Sequence, residues 1–260
     1  MFIPIEFQKA LQKTQQTAIA IEAVYEESPA LLRSRFGGTP YWQDGINAPT
    51  DNDGNCLALL AQINFAELPV QTDLPAQGIL QFFIPKNDDD YGAELDKLGS
   101  SGQMLTQFWP HPCADKARPW PGSDAHTDDL VPVFGAHSLH FNQKIDYAGV
   151  DTIECAEALG ANPFEVLEDI TLNEKEETLF YDAISNYTAL HGHKLLGYPY
   201  FTQGEPRVNS DYRLLLQIDT DMENDNDIMW GDNGVGHIFI CQADLRLQRF
   251  DRVWFYWDCL

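Results

Sequence analysis

Basic residues are scarce in this chain. Of its 260 residues, 16 are Lys or Arg against 40 Asp or Glu, giving a formal net charge of −24. Both halves share the acidic excess, so it is a property of the whole surface and not of a tail. Such a surface repels phosphate backbones and anionic headgroups, so neither a nucleic acid nor a membrane is expected as a partner. The partner of matching charge is a basic protein. Long apolar runs are missing as well: no stretch approaches the roughly 18 residues of a membrane span. The opening "MFIPIEFQKALQ" has Glu6 early and no basic stretch ahead of an apolar run, which does not read as a signal peptide. The five cysteines, Cys56, Cys113, Cys155, Cys241 and Cys259, are odd in number and never spaced C-x-x-C. Free thiols in a reducing cytoplasm are the expectation, with no zinc and no cofactor. G-x-S-x-G, P-loop, G-x-G-x-x-G and H-E-x-x-H signatures are all lacking, so catalysis of those kinds is not indicated.

What is present supports a packed core: 44% of residues are hydrophobic and 12% aromatic. Residues 5–27 are rich in helix formers without Gly or Pro, which predicts a helix. A short helix is expected over 151–160, with Asp151 as its cap and Gly160 as its stop. Another is expected from Asn173 to Leu190, with Glu176 at the capping-box position. Strands are expected at Leu57–Phe65, Ile79–Ile84, Val131–Phe141, Leu214–Ile218, His237–Ile240 and Val253–Trp257, short apolar runs bounded by Gly, Pro and Asp. Residues 86–130 read as an irregular excursion carrying Phe108, Trp109 and Trp120, aromatics that either pin the segment to the core or anchor a partner.

Two segments resemble each other. "GGTPYWQDG", "LLAQIN" and "GILQFFI" run in the same order as "LGYPYFTQG", "LLLQID" and "GVGHIFI". The expected fold is therefore α+β, mostly antiparallel β. It is one domain over 1–260, built from duplicated β units at 37–84 and 196–240 about a pseudo-twofold axis, with a few flanking helices. The acidic connector 219–233 occupies the place of "FAELPVQTDLPAQ" in the first unit and reads as a solvated link between strands. It is not an EF-hand. Asp219, Asp221 and Glu223 fit, but Asn224 stands where Gly is needed and Trp230 where Glu is needed.

The chain also resembles the YwqG-like family of bacterial proteins. The resemblance rests on "RFGGTPY", "LLAQINFAELP", "GILQFFI", "GHKLLGYPYFTQGEPR", "LLLQID", "MWGDNGVGHIFI" and "WFYWDCL", which together span most of the sequence. It implies a single α+β domain with duplicated β structure and supplies no activity. Trp42 and Gln43 depart from the family's usual Leu-Pro pair. Leu196, Gly197 and Glu205 also depart from its second turn, which argues against a strict catalytic role there.

The candidate ligand-binding residues are Gln62, Asn64, His193, Arg207, Gln217, Asp219, Trp230 and Asp232. Gln62 and Gln217 interrupt apolar strands at matching positions, either to tie strand to loop or to share a pocket on the axis. Asn64 and Asp219 match likewise. Arg207 offers a planar fork for an anion, or an internal bridge to Glu205. His191 and His193 lack a third ligand for a metal. Cys113 beside His111 lacks a local signature for a nucleophile. Trp230 and Asp232 offer a flat floor and an acceptor at a glycine-rich turn. Two functions stand. One is a non-catalytic protein- or peptide-binding module of regulatory or immunity type. The other is an enzyme or small-ligand binder with a polar site near the axis.

Overall fold

The computed structural model describes residues 5–69, 73–122, 124, 125, 129–168, 178 and 190–260. Ten strands form one antiparallel sheet: β1 (Gln16–Tyr25), β2 (Arg35–Gly37), β3 (Ala58–Asn64), β4 (Ile79–Ile84), β5 (Leu105–Trp109), β6 (Ala136–Asp146), β7 (Lys194–Leu196), β8 (Tyr212–Asp219), β9 (Val235–Cys241) and β10 (Val253–Asp258). The fold is mostly antiparallel β with short helices, an α+β architecture.

The order across the sheet is β10-β9-β8-β7-β1-β6-β2-β3-β4-β5. β1 and β6 lie at the centre, paired from Gln16–Asp146 to Tyr25–His137. On one side β6 pairs with β2, setting Arg35 opposite Ser138 and Gly37 opposite Ala136. On the other, β1 pairs with β7, setting Lys194 opposite Ala20 and Leu196 opposite Ala18. Outward from there, each side runs through a three-residue strand, a bulged strand and two further strands. The bulges fall between Leu59 and Ala61 in β3 and between Leu214 and Leu216 in β8.

The sheet curls so that one face of nearly every strand enters a common core, which holds Ile19, Phe36, Ile63, Phe82, Leu139, Leu216, Ile238 and Phe255. The two edges approach each other. Phe255 N donates to Ser100 O at 3.0 Å, Thr106 Oγ1 donates to Phe250 O at 2.9 Å, and the Phe108 and Phe250 rings lie 5.0 Å apart. The outer face carries two smaller clusters. Tyr41, Trp42, Leu59, Phe83 and Trp109 cover the first side, and Phe201, Leu214, Phe239 and Trp254 cover the second.

Several expectations need correction. The helix expected over 5–27 is a helix, α1 (Ile5–Lys13), followed by β1. Thr14 Oγ1 turns back onto Leu11 O, and Ile19, Ile21 and Ala23 then face the common core along a strand paired on both edges. Two ladders of hydrogen bonds override the helix propensity of Gln, Ala and Glu. The strand expected at 131–141 lies at 136–146, displaced because Gly135 adopts φ 76° just before it. The 86–130 excursion contains β5, so Phe108 and Trp109 belong to the sheet. The helix α2 (Ile153–Leu159) is capped by Thr152, whose Oγ1 accepts from Cys155 N, and stops at left-handed Gly160. It packs Cys155 against Leu11 of α1. The helix expected at Asn173–Leu190 lies almost wholly outside the described residues. Among the described residues no helix is long and apolar enough to cross a membrane.

Candidate functional site

The two Gly-x-Pro-Tyr turns are tied to the sheet by the amides that interrupt the apolar strands. Gln62, fully buried, accepts from Tyr41 N at 2.8 Å and donates to Leu31 O and Arg33 O at 3.0 and 2.8 Å. Gln217, also fully buried, accepts from Tyr200 N at 2.9 Å and donates to Gly192 O at 2.8 Å. Buried amides without partners are costly, and these have partners. Both amides are engaged in hydrogen bonds inside the fold.

A second buried side chain completes each tie. Gln81 Nε2 donates to Tyr41 O and to Gln62 Oε1, both at 2.7 Å, and its own Oε1 accepts from Trp109 Nε1 at 2.7 Å. In the other half His237 Nε2 meets Tyr200 O at 2.7 Å, while its buried Nδ1 has no partner. Burial pushes the His237 imidazolium down to about 3.

Arg207 is also engaged internally. Its guanidinium bonds Glu205 and Glu154 at 2.5–2.9 Å. Burial opposes the charge, but the two carboxylates outweigh it and hold the group ionised. Trp230 is no exposed floor. It is fully buried against Gly236, where any Cβ would come within 2.3 Å of its ring, and that close approach requires glycine. Asp232 is exposed on the turn beyond. Trp109 is 5% exposed, bonded to Gln81 and packed on Trp42. Phe108 packs on Phe65 and Phe250, and Trp120 on Trp42 and Phe83. These aromatics pin the segment to the sheet. His111 hydrogen-bonds Gln77.

The remaining candidates fall on either side of the centre. Asn64 caps a short 3-10 turn by accepting from Ala66 N, donates to Leu32 O, and has its own amide held by Ser34 Oγ. In the matching place Asp219 accepts from Gly192 N and Thr220 N, and its amide donates to His193 Nδ1 at 2.9 Å. That bond fixes the proton of a neutral His193 on Nε2.

His193 and Asp219 line a cleft of about 500 Å³ together with Glu22, Asp221, Glu223 and Asn226. His193 is 5% exposed, and its Nε2 forms no close hydrogen bond but lies 3.5 Å from Asp221 Oδ2, with its N–H on the side of that carboxylate. Asp221 is further held by Glu223 N at 3.0 Å and Asn226 Nδ2 at 2.7 Å. His193 and these donors hold its carboxyl at about 2, against the opposing effect of burial. Asn226 in turn binds the end of β1, accepting from Tyr25 N and donating to Ala23 O, both at 2.9 Å.

The connector is thus not only a solvated link. Ile228 is fully buried, and Asp221 and Ile228 bond each other as a small ladder. Beneath it, buried His137 accepts from Asp227 N, and burial, then His193, lowers its pKa. Sequence reasoning missed Asp221, Asn226 and His137. The one usable signal was the run of Asp and Asn, read only against the EF-hand pattern. Among the described residues no three His, Cys, Asp or Glu side chains converge as a metal site.

A cavity of about 340 Å³ opens on the other side of the centre, lined by Ser28, Leu31, Arg35, Gly38, Thr39 and Asp124 among others. Arg35 is 2% exposed and donates to the carbonyls of Arg33, Thr39 and Ala30. Burial lowers it to about 10 despite Glu26, Glu67 and Asp124.

The family described as a domain of unknown function (DUF1963) matches residues 34–259, and the chain belongs to it. No curated protein matches the chain.

Proposed function

We propose that this member of the DUF1963 family is a non-catalytic binding module that takes a basic group of a protein or peptide partner into the cleft beside β1. The observation that carries the reading is Asp221. It is a carboxylate held ionised and oriented by His193, Asn226 and the Glu223 amide, at a cleft whose other acidic residues are Glu22, Asp219 and Glu223. A fixed carboxylate needs no reorganisation to receive a Lys or Arg side chain, and the net charge of −24 speeds the encounter. The turn polar groups that would have supplied catalysis are instead bonded internally. The reading is of a regulatory or immunity-type protein in the bacterial cytoplasm, a setting the YwqG-like resemblance supports.

The test is fluorescence anisotropy with a labelled oligo-lysine peptide at low salt. Asp221→Asn keeps the shape but can accept from only one of Asn226 and the Glu223 amide, so it is expected to lower the melting temperature slightly and to weaken binding at least about fivefold. Asp96→Asn, remote from the cleft, serves as the control for general charge. Equal losses in the two variants would mean the peptide reads only net charge, and the cleft reading would be abandoned.

We also infer that residues 37–84 and 196–240 are two copies of one β unit. The mirrored strand order, the matching bulges and the paired roles of Gln62 and Gln217 support it. Superposition of the two units in a crystal structure tests it. Bulges or glutamines that fail to coincide would refute it.

A further inference from the structure

The two halves treat one buried position in opposite ways. In the second half Lys194 opens β7, fully buried, with its Nζ 3.3 Å from Asp146 Oδ2 and 2.6 Å from Leu190 O. The same carboxylate accepts the amides of Leu190 and Tyr198, each at 2.9 Å. It lies against Gly197, where a Cβ would come within 2.3 Å of Oδ2.

The first half has the same donors, but no carboxylate hydrogen-bonds them. The step along the chain that takes Gly38 to Gly197 and Pro40 to Pro199 takes Leu31 to Leu190, Arg35 to Lys194 and Thr39 to Tyr198. The step that takes Ala18 to Ala136 and Ala20 to Ser138, matched across the centre by their pairing, takes Ser28 to Asp146. A serine therefore stands where the other half has its counterion. Ser28, Leu31, Arg35, Gly38 and Thr39 all line the one cavity of about 340 Å³. Among the described residues Arg35 has only carbonyls as hydrogen-bond partners, and the Leu31 and Thr39 amides donate no hydrogen bond. Glu26, Glu67 and Asp124 act on Arg35 only at a distance; a buried guanidinium bonded to carbonyls alone, beside two free amides, is suited to a carboxylate.

We propose that this cavity binds a small amino acid, its carboxylate held by Arg35 and the amides of Leu31 and Thr39 as Asp146 is held by Lys194, Leu190 and Tyr198. The ammonium end is assigned by Asp124. Its Oδ2 accepts from Thr39 Oγ1 at 2.6 Å, while its Oδ1 is buried on the cavity wall without a partner. A simple anion would leave that oxygen unpaired and be repelled by it. An amino acid supplies the missing donor. This site rests on the correspondence between the halves and is independent of the Asp221 cleft.

The experiment screens the proteinogenic amino acids one at a time, with acetate beside them, by amide chemical shift in the 15N-labelled protein. At least one amino acid is expected to give saturable shifts at Leu31 and Thr39, at lower concentration than acetate. Arg35 variants risk unfolding, so the discriminating variant is Ser28→Asp, which installs the carboxylate that the other half already has. It is expected to raise the melting temperature of the unliganded protein and weaken amino-acid binding at least about tenfold. No saturable shift with any amino acid, or unchanged binding in Ser28→Asp, would overturn the site. Acetate binding as tightly as the best amino acid would overturn the role given to Asp124.

Discussion

The two sides of the sheet solve one packing problem with different side chains. On the first side the Tyr41 turn is held by Gln62 and Gln81, and every polar atom of that pair is hydrogen-bonded, with Trp109 closing the network. On the second side the Tyr200 turn is held by Gln217 and His237, and a ring nitrogen is left buried and unpaired. The geometry is shared while the chemistry is not. An amide pair is indifferent to pH, whereas a buried imidazole makes its half sensitive to acid. The buried cations diverge in the same way: Lys194 is paired with the Asp146 carboxylate, and Arg35 hydrogen-bonds only carbonyls. Matching positions on the two sides can therefore differ in whether a buried cation has its counterion inside the fold.

The largest expected effect breaks the first network at its rim. Trp109→Ala removes a buried indole and leaves Gln81 Oε1 unpaired, so urea unfolding should show a loss of about 4 kcal/mol. A loss near zero would mean that Trp109 is a surface anchor. The next effect measures the asymmetry directly. Gln62 makes two donor and two acceptor bonds and Gln217 one of each, so Gln62→Ala should cost about 4 kcal/mol and Gln217→Ala about 2 kcal/mol. The reverse ranking would show that the second turn, not the first, depends more on its glutamine.

The sequence made much of this frame legible, and the reasons are local. β3, β4, β8, β9 and β10 are apolar runs cut off by Gly, Pro and Asp, so their positions follow from composition alone. β1 did not follow, because Gln16–Tyr25 carries helix formers whose inward spacing is set by pairing with β6 and β7. β5 is five residues among prolines, too short for a periodic signal. Of the candidate side chains, His193 and Asp219 line the cleft beside β1. Arg35 was missed, although extending the repeat upstream, "ALLRSRFGG" against "ALHGHKLLG", aligns it with Lys194 as a cation opening each short strand. Asp221 and Asn226 gained their roles through contacts with His193 and β1, partners far away along the chain.

The most direct measurement of the equivalence between the halves is the pH dependence of stability in His237→Gln, which gives the second half the first half's side chain. His237 is held near 3 in the folded protein by burial, against about 6.5 when unfolded. Below about pH 6.5 the unfolded chain binds a proton that the folded one does not, so stability falls as pH drops from there toward 3. Urea unfolding of the wild type should lose on the order of 2 kcal/mol more than His237→Gln between about pH 7 and pH 4.5. The variant should remain folded near pH 7, its amide donating to Tyr200 O as Gln81 does to Tyr41 O. Unfolding of His237→Gln at neutral pH, or an acid slope identical to wild type, would contradict the equivalence.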